Sequence, residues 1–290
     1  MGMKIFEALP FDYRFLLLVP IAMLLLSVFV LVNQYTQTGE WFQRSIDLRG
    51  GTMITLTTQK RVNVPVIESL LVKMFKDVRV REVRSLEGYG LTIELSSDAD
   101  TERVIAELEK LGVEITDYSI ERIGPSLGSS FWHQAQIAVV VAFIFMGIIV
   151  FIIFRSFVPS IAVIMSAMSD ILITLAFMQI LGIELSLAGL AALLMLIGYS
   201  VDTDIMLTTR LLKEYESKNL NEKLANALKT GLTMTLTTIG ALTALLLSAI
   251  SPVLSQIASV LLMGLVFDIM NTWLMNSVVL KWYCKRKGMV

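Results

Sequence analysis

Six long apolar runs dominate the pattern of hydrophobic and polar positions, and each is long enough to cross a hydrocarbon layer of about 30 Å as a helix. The first run is followed by polar Asn33 and Gln34 with no small-residue cleavage signal, which indicates a retained helix. The six runs are Phe15–Val32, Ile137–Phe154, Val158–Leu181, Leu185–Thr209, Leu232–Ile250 and Leu254–Trp282. The pattern therefore predicts a six-span α-helical membrane protein.

The stretch between the first and second runs has the pattern of a compact soluble domain. Strands are predicted by alternation at 53–58, 78–83, 91–95 and 113–123, with a turn at 87–90 between the second and third. Helical spacing appears twice, first after Pro65 with Ile67, Leu70, Leu71 and Met74 on the apolar face. A second helix begins after Asp100 as its N-cap, with an apolar face formed by Val104, Ile105, Leu108 and Leu111. The order βαββαβ predicts an α+β ferredoxin-like insert.

These patterns divide the chain into three parts. Residues 1–36 are predicted to be a cytoplasmic N-terminus and the first span, and residues 37–128 the extracytoplasmic ferredoxin-like domain. Residues 129–290 are predicted to hold spans two to six and a cytoplasmic C-terminus. An independent domain of this size buries a two-layer core without help from lipid.

Charge changes the picture in two ways. Hydrophobic residues make up 55% of the chain and charged residues 17%, below the quarter usual for soluble domains, and no basic surface for nucleic acid is evident. The single Cys284 excludes an intrachain disulfide and argues against a cysteine metal site. Lys and Arg fall on one side of a six-span arrangement, which predicts that both termini are cytoplasmic. These basic residues are Lys4, Arg14, Arg155, those from Arg210 to Lys229, Lys281, Lys285, Arg286 and Lys287.

Carboxylates inside the predicted spans are the best candidates for chemistry, because each costs roughly 2.5 to 3.5 kcal/mol to insert at mid-membrane. They are Asp170, Asp202, Asp204 and Asp268. Asp170 belongs to a polar stripe with Ser166 and Thr174 on span three, and Asp268 to one with Gly264, Thr272 and Asn276 on span six. Either aspartate can instead be a packing link to a neighbouring hydroxyl, with no role in transport.

On span four, Gly198 and Asp202 share one face, whereas Asp204 lies about 200° around the helix, so the two carboxylates cannot face the same seam. Asp204 and Arg210 can form an interfacial salt bridge, which is an alternative to a transport role. Threonines 233, 235, 237, 238 and 243 on span five either bond across helices or back-bond to their own carbonyls. His133, beside Trp132, is interpreted as an interfacial residue.

Several motifs resemble those of one family along the whole chain. The insert opens with Ile46-Asp47-Leu48-Arg49-Gly50-Gly51-Thr52 and closes with Ile123-Gly124-Pro125-Ser126-Leu127-Gly128. Span three carries Asp170-Ile171-Leu172-Ile173-Thr174-Leu175 after Ser169, and span four carries Gly198-Tyr199-Ser200-Val201 with Arg210 twelve residues after the glycine. Together they resemble the SecF family of the SecDF accessory complex, in an archaeal-like variant, within the resistance-nodulation-division superfamily. Gly50 and Gly51 are interpreted as positions where another part of the backbone comes close to the first strand.

The resemblance implies a function. SecF pairs with SecD, associates with the Sec translocon channel in the cell membrane and uses an ion gradient, H⁺ or Na⁺, to assist exported chains; no cofactor, metal or enzymatic activity is implied. This chain has Asp202 and Thr203 where bacterial SecF usually has Asn and Asp, and Asp202 matches a Gly-x-x-Val-Asp element of SecD. Asp202 is therefore the first choice for the main ion-coupling site, with Asp170, Asp204, Asp268 and Arg210 in support. An exporter of small molecules or lipids from the same superfamily is the alternative.

Overall fold

A computed structural model describes residues 17–58, 62–75, 78–85, 88–213 and 220–287, with the side chains of 83–88 and 213 outside that description. Lys4, Arg14 and Glu87, which entered the predictions of orientation and of the insert's turn, lie outside the described residues. So does the middle of the segment from Arg210 to Lys229.

Six helices are long and apolar enough to cross a membrane, as the apolar runs predict. In chain order they are α1 (Leu18–Thr38), α5 (Pro125–Phe154), α6 (Phe157–Ile180), α7 (Leu187–Lys213), α8 (Leu220–Ser248), and a sixth span from Pro252 to Arg286. The sixth span consists of α9 (Pro252–Met270), a π-helical segment (Asn271–Asn276) and α10 (Ser277–Arg286). We refer to them as spans one to six.

Two of these helices begin about twelve residues before the predicted apolar runs. Span two begins at Pro125, so residues 125–128, assigned above to the insert, are its first turn. Pro125 suits this position because a helix needs no backbone donor there. Span five begins at Leu220, inside the basic segment from Arg210 to Lys229. Hydropathy marks the part of a helix that lies in lipid, and both helices continue past it.

Spans three, four and six form the centre of the helical bundle. The most apolar windows of these spans are 67%, 50% and 39% buried, against 17% for each of spans one, two and five. Leu196 of span four and Leu261 of span six are both completely buried in the same core. Gly264 lies so close to Leu196 that an added Cβ would sit 2.4 Å from a leucine methyl carbon. The three central helices are therefore the ones able to enclose polar side chains.

The chain between spans one and two holds a short helix α2 (Ile46–Arg49) and a four-stranded antiparallel sheet. The strands are β1 (Gly51–Thr58), β2 (Arg79–Ser85), β3 (Gly88–Leu95) and β4 (Ile115–Ile123), in the order β2-β3-β1-β4. Helix α3 (Val64–Met74) connects β1 to β2, and α4 (Thr101–Lys110) connects β3 to β4. The predicted βαββαβ order is confirmed.

One face of the sheet carries the core of the insert. Ile54 of β1 and Ile93 of β3, which are paired across the sheet, are both completely buried. They pack with Ile67 and Leu71 of α3 and with Leu108 of α4. Asp100 caps α4 as predicted, accepting a hydrogen bond from the Arg103 N–H at 3.3 Å.

Three details of the predicted insert are wrong. Met74 and Leu111 are 44% and 46% exposed, because each lies at the end of its helix where the sheet no longer covers it. Gly88 to Gly90 belong to strand β3 and pair with residues 83–85, instead of forming the turn.

The two glycine-containing motifs that flank the insert meet each other. Gly50 has a φ of +81°, and an added Cβ would lie 2.6 Å from the Pro125 Cα. At Gly128 an added Cβ would lie 2.4 Å from the Gly50 backbone nitrogen. The predicted close backbone approach at Gly50 and Gly51 is confirmed, and it is α2 that packs against the first turn of span two.

Candidate functional site

Three aspartates from the three central spans are completely buried: Asp170 of span three, Asp204 of span four and Asp268 of span six. Each lies in the middle part of its span. The polar stripes predicted on spans three and six face inward, with Ser166, Thr174, Thr272 and Asn276 at most 1% exposed. We call Asp170, Asp204 and Asp268 the aspartate cluster.

Asp170 is held by two short hydrogen bonds, one to each carboxylate oxygen. Ser200 of span four donates its hydroxyl to Oδ2 at 2.6 Å, and Asn271 of span six donates Nδ2 to Oδ1 at 2.6 Å. Thr174 donates to the Asp170 backbone carbonyl, also at 2.6 Å. Asp170 therefore joins all three central helices through bonded oxygens, and its geometry is fixed.

Asp204 and Asp268 share one hydroxyl group. Thr272 Oγ1 lies 2.8 Å from Asp204 Oδ1 and 3.2 Å from Asp268 Oδ1. The other oxygen of each carboxylate, Oδ2, is buried and has no hydrogen-bond partner among the described residues. Ser166 and Asn276 lie near Asp204, but their side-chain polar atoms are also without a bond of normal geometry. This part of the cluster therefore keeps unused hydrogen-bonding capacity.

Among the described residues, no basic side chain neutralises the aspartate cluster. None of the salt bridges between described residues involves Asp170, Asp204 or Asp268. Three carboxylates enclosed without a basic partner are costly when all are charged. The site therefore needs either bound protons or a bound cation.

A π-helical segment, Asn271–Asn276, follows Asp268 directly. It supplies Asn271, Thr272 and Asn276, all at most 1% exposed and all directed toward the centre of the bundle. Single π-helical turns inside α-helices are rare and occur often at functional sites. Within this segment the adjacent residues Asn271 and Thr272 bond to two different aspartates, Asp170 and Asp204.

The structure does not place Asp202 in this cluster. Its side chain is exposed on the surface of span four, while Asp204 points inward. The prediction that the two carboxylates cannot face the same seam is confirmed, but Asp202, the first choice for the ion-coupling site, is the exposed one and Asp204 the buried one. The helix period fixed their separation, and the packing of spans three and six decided which side is covered.

The other candidate residues are also separate from the cluster. Arg210 is half-buried and forms no salt bridge with Asp204 among the described residues, so the predicted interfacial pair is not present. Each of the five span-five threonines donates to a backbone carbonyl of its own helix. His133 is exposed at the start of span two, beside Trp132.

The motif residues at the base of the insert have structural contacts. Asp47 Oδ2 accepts the Leu187 N–H at 3.4 Å, which ties α2 to the start of span four. Gly124 is the N-cap of span two and Pro125 its first residue. Gly198 is exposed, and an added Cβ there would meet nothing within 4 Å. None of these residues contacts the aspartate cluster.

Sequence reasoning missed two residues of the site, Ser200 and Asn271. Ser200 was noted only as part of a motif, although it lies four residues before Asp204. Asn271 is a polar residue in an apolar span, three residues after Asp268, and this spacing alone places it near the same face. The signal was present for Asn271, but its bond to span three depends on how the helices pack.

Fold and site together define a class of protein: a helical membrane protein with six candidate spans, a small soluble sheet inserted after the first, and a buried carboxylate cluster in the helical centre. The family described as "Protein export membrane protein SecD/SecF, C-terminal" matches residues 103–286. The chain belongs to this family of protein-export membrane proteins.

Curated relatives match over nearly the whole chain. Protein-export membrane protein SecF of Pyrococcus furiosus is 41% identical over 281 residues, covering 96% of this chain and 93% of the relative. SecF of Methanocaldococcus jannaschii is 40% identical over 281 residues, covering 94% and 96%.

Solved structures of SecDF share the fold. The crystal structure of SecDF from Thermus thermophilus, described as a translocon-associated membrane protein, matches with a TM-score of 0.76 and 23% identity. The match covers 94% of this chain but 38% of the SecDF chain. A second SecDF structure, in a super-membrane-facing form, matches with a TM-score of 0.59 and 25% identity.

Proposed function

We propose that this protein-export membrane protein assists Sec-dependent translocation by binding and releasing protons at the aspartate cluster, in partnership with SecD. The observation that carries the proposal is the position of the Thr272 hydroxyl between Asp204 and Asp268. Family membership supports the role in protein export. The use of an ion gradient rests on the geometry of the cluster.

The Thr272 hydroxyl has one hydrogen to donate and lone pairs to accept with. It can donate to only one of its two carboxylate neighbours at a time. Both contacts are hydrogen bonds when the second carboxyl is protonated and donates to Thr272 Oγ1. The arrangement therefore fits one bound proton on the Asp204–Asp268 pair, and moving that proton changes which bonds the two helices make.

Sodium is the alternative coupling ion. The cluster offers only oxygen and amide groups, and oxygen ligands suit hard cations. Asp204 Oδ2 and Asp268 Oδ2 are the free carboxylate oxygens. A test with a proton gradient and with a sodium gradient, imposed separately, distinguishes the two ions.

The exposed Asp202 supports pairing with SecD. A carboxylate facing lipid in the middle of a span is unfavourable, so such residues normally face protein or water. The neighbouring Gly198 leaves open space beside the span-four surface. We propose that helices of SecD cover this face, with Asp202 in the subunit interface, in a twelve-helix pseudo-symmetric unit. The unit associates with the Sec channel and contacts exported chains and membrane lipid.

The remaining parts of the proposal concern topology. The insert is proposed to be ferredoxin-like, which the antiparallel order β2-β3-β1-β4 with two connecting helices supports. It is proposed to lie outside the cytoplasm, with both termini inside and the protein in the cell membrane. The positions of Lys and Arg between spans support this orientation. A small-molecule or lipid exporter is the rival function, and the match to protein-export relatives favours export.

The test is co-reconstitution of the chain with SecD and the Sec channel, followed by translocation assays under an imposed ion gradient. Asp204→Asn and Asp268→Asn keep size and polarity but remove titration. In each variant the ion-driven stimulation of translocation is expected to fall at least about tenfold, while assembly of the complex stays intact. Asp117→Asn, at an exposed position on β4, is the matched control and is expected to behave as wild type.

Asp202→Asn separates the two roles. It is expected to weaken copurification with SecD more than it weakens ion-driven stimulation in the complexes that remain. Normal gradient-driven export by both Asp204→Asn and Asp268→Asn, together with loss in Asp202→Asn at full assembly, would show that the coupling site is on the exposed face instead.

A further inference from the structure

A second enclosed carboxyl pair lies where the insert meets the helical bundle. The face of the sheet opposite its core carries Glu94 of β3 beside Arg79 of β2, which is its register partner, and Arg81 two residues on. This face covers Glu184, which lies in the connection between spans three and four. Glu94 and Glu184 are 4% and 1% exposed. Both are therefore nearly sealed from water although neither belongs to a span.

Three arginines bind the two glutamates. Arg81 contacts both, at 2.5 Å to Glu184 Oε1 and 3.8 Å to Glu94 Oε1. Arg79 forms a salt bridge with Glu184 Oε1, and Arg49 of α2 lies 3.1 Å from Glu94 Oε2. The two carboxyl groups are thus bridged by one guanidinium and brought together from two separate parts of the chain.

One oxygen of this arrangement is unused. Glu184 Oε2 is buried and has no hydrogen-bond partner among the described residues. A buried carboxylate oxygen without a donor is unfavourable, so a further hydrogen bond donated to Glu184 Oε2 would be stabilising. The pKa of Glu94 is raised to about 7, first by burial and then by the charge of the neighbouring Glu184, against the opposing effects of Arg81 and Arg49. Glu94 is therefore the group able to supply that hydrogen near neutral pH.

The connection between spans three and four is tied to the same central helices that carry the aspartate cluster. The Glu184 carbonyl accepts a hydrogen bond from Gln256 of span six at 3.2 Å. Leu185 exchanges backbone hydrogen bonds with Gln43 and Ser45, both at 2.9 Å. Glu184 is therefore connected to spans three and four through the chain and to span six through this hydrogen bond.

We propose that Glu94 and Glu184 form a proton-binding carboxyl pair that fastens the insert to the connection between spans three and four. The proton comes from bulk water and binds to a Glu94 carboxyl oxygen, and the resulting O–H donates a hydrogen bond to Glu184 Oε2. On release the proton returns to water. The inference concerns this junction only and does not rest on ion binding by the aspartate cluster.

The direction of the pH dependence follows from linkage. An undocked, hydrated Glu94 would titrate near the ordinary value of 4.5, whereas the docked group titrates at about 7. Because the pKa of Glu94 is higher in the docked state, docking is strongest at pH values below the undocked pKa and weakens as pH rises through the docked pKa. The charged groups that face Glu94 or share its face of the sheet are Arg49 of α2, Arg79 and Arg81 of β2, Glu184, and Glu121 of β4, which lies beyond Met53 in the register.

The test uses the full chain in lipid nanodiscs, titrated from about pH 5 to about pH 9. Infrared difference spectra report the C=O stretch of protonated carboxyl groups. Spin labels at Ser97→Cys on the insert and Ile250→Cys between spans five and six, in a Cys284→Ser background, report the position of the insert. Wild type is expected to gain a carboxyl band and to narrow its label distances as pH falls through about 7.

Three variants decide the outcome. Glu94→Gln keeps a donor for Glu184 Oε2, and it is expected to lose the part of the band that Glu94 contributes and to hold narrow distances at every pH. Glu184→Gln removes the neighbouring charge, and it is expected to move the midpoint down by about one pH unit or more. Glu121→Gln, exposed on the same face of the sheet, is the matched control and should keep the wild-type titration.

The proposal is overturned if Glu94→Gln keeps the full wild-type band and the pH-dependent distances, or if the distances in wild type show no transition in this range. If Glu94→Gln does not fold, Glu184→Gln decides, because an unchanged midpoint there also refutes the pair. No export assay is involved, so these results are independent of whether the aspartate cluster couples export to an ion gradient.

Discussion

Replacing Thr272 by valine tests the aspartate cluster most directly. The substitution keeps the branched shape and removes only the hydroxyl that lies between Asp204 and Asp268. Among the described residues, the Thr272 hydroxyl is the one hydrogen-bond partner of each of these two carboxylates. The second oxygen of each carboxylate has no partner. Thr272→Val therefore leaves both carboxyl groups without any of these bonds.

The size of the effect follows from that geometry. A buried polar group left without its partner costs about 1 to 3 kcal/mol, and more when charged. Hydrogen bonds between membrane helices are weaker on average, about 0.6 kcal/mol with a maximum near 1.7, because the unfolded reference also finds partners. For two carboxyl groups losing one shared hydroxyl we expect about 2 kcal/mol of lost unfolding free energy.

The assay is reversible unfolding of the purified chain in mixed micelles. Thr235→Val is the matched control, because Thr235 is 4% exposed and donates only to the Gly231 carbonyl of its own helix. We expect it to cost less than about 0.5 kcal/mol. In an Asp204→Asn background the cost of Thr272→Val should fall by about half. Equal costs for Thr272→Val and Thr235→Val would refute the bridging role.

Two further predictions concern the insert. Gly50→Ala should destabilise the chain by about 2 kcal/mol or more, because the added Cβ meets the backbone of span two. Gly112 also has a positive φ but open space around it, so Gly112→Ala should cost only about 1 kcal/mol. Chemical denaturation measures the unfolding free energy of both variants. A membrane-impermeant thiol reagent should label Ser97→Cys but not Lys285→Cys in intact cells. Native Cys284 is completely buried, so its protection does not report orientation; labelling of Lys285→Cys would contradict a cytoplasmic C-terminus.

The order of elements in the insert could be predicted from its sequence because each signal is local. Pro65 and Asp100 mark the beginnings of two helices, and apolar alternation marks the strands. The end of α4 at Lys110 could not be predicted in the same way, because Leu111 continues the apolar spacing and only the extent of the sheet leaves it exposed.

The charged junction shows a longer-range limit. Glu94 and Glu184 are ninety residues apart in the chain, and nothing in either local pattern links them. A glutamate within an apolar strand pattern and another in a short connection between spans are each unusual. Their pairing depends on how the sheet lies on the helical bundle.

By itself the sequence determined which segments enter the membrane, the order of the insert's elements, and that Asp202 and Asp204 point in different directions. These properties follow from hydropathy and from the helix period, which are set by neighbouring residues. Only the tertiary structure decided that Asp204 is enclosed with Asp170 and Asp268 while Asp202 is exposed. A helix has no inside until other helices pack against it, so burial depends on spans three and six as much as on span four itself.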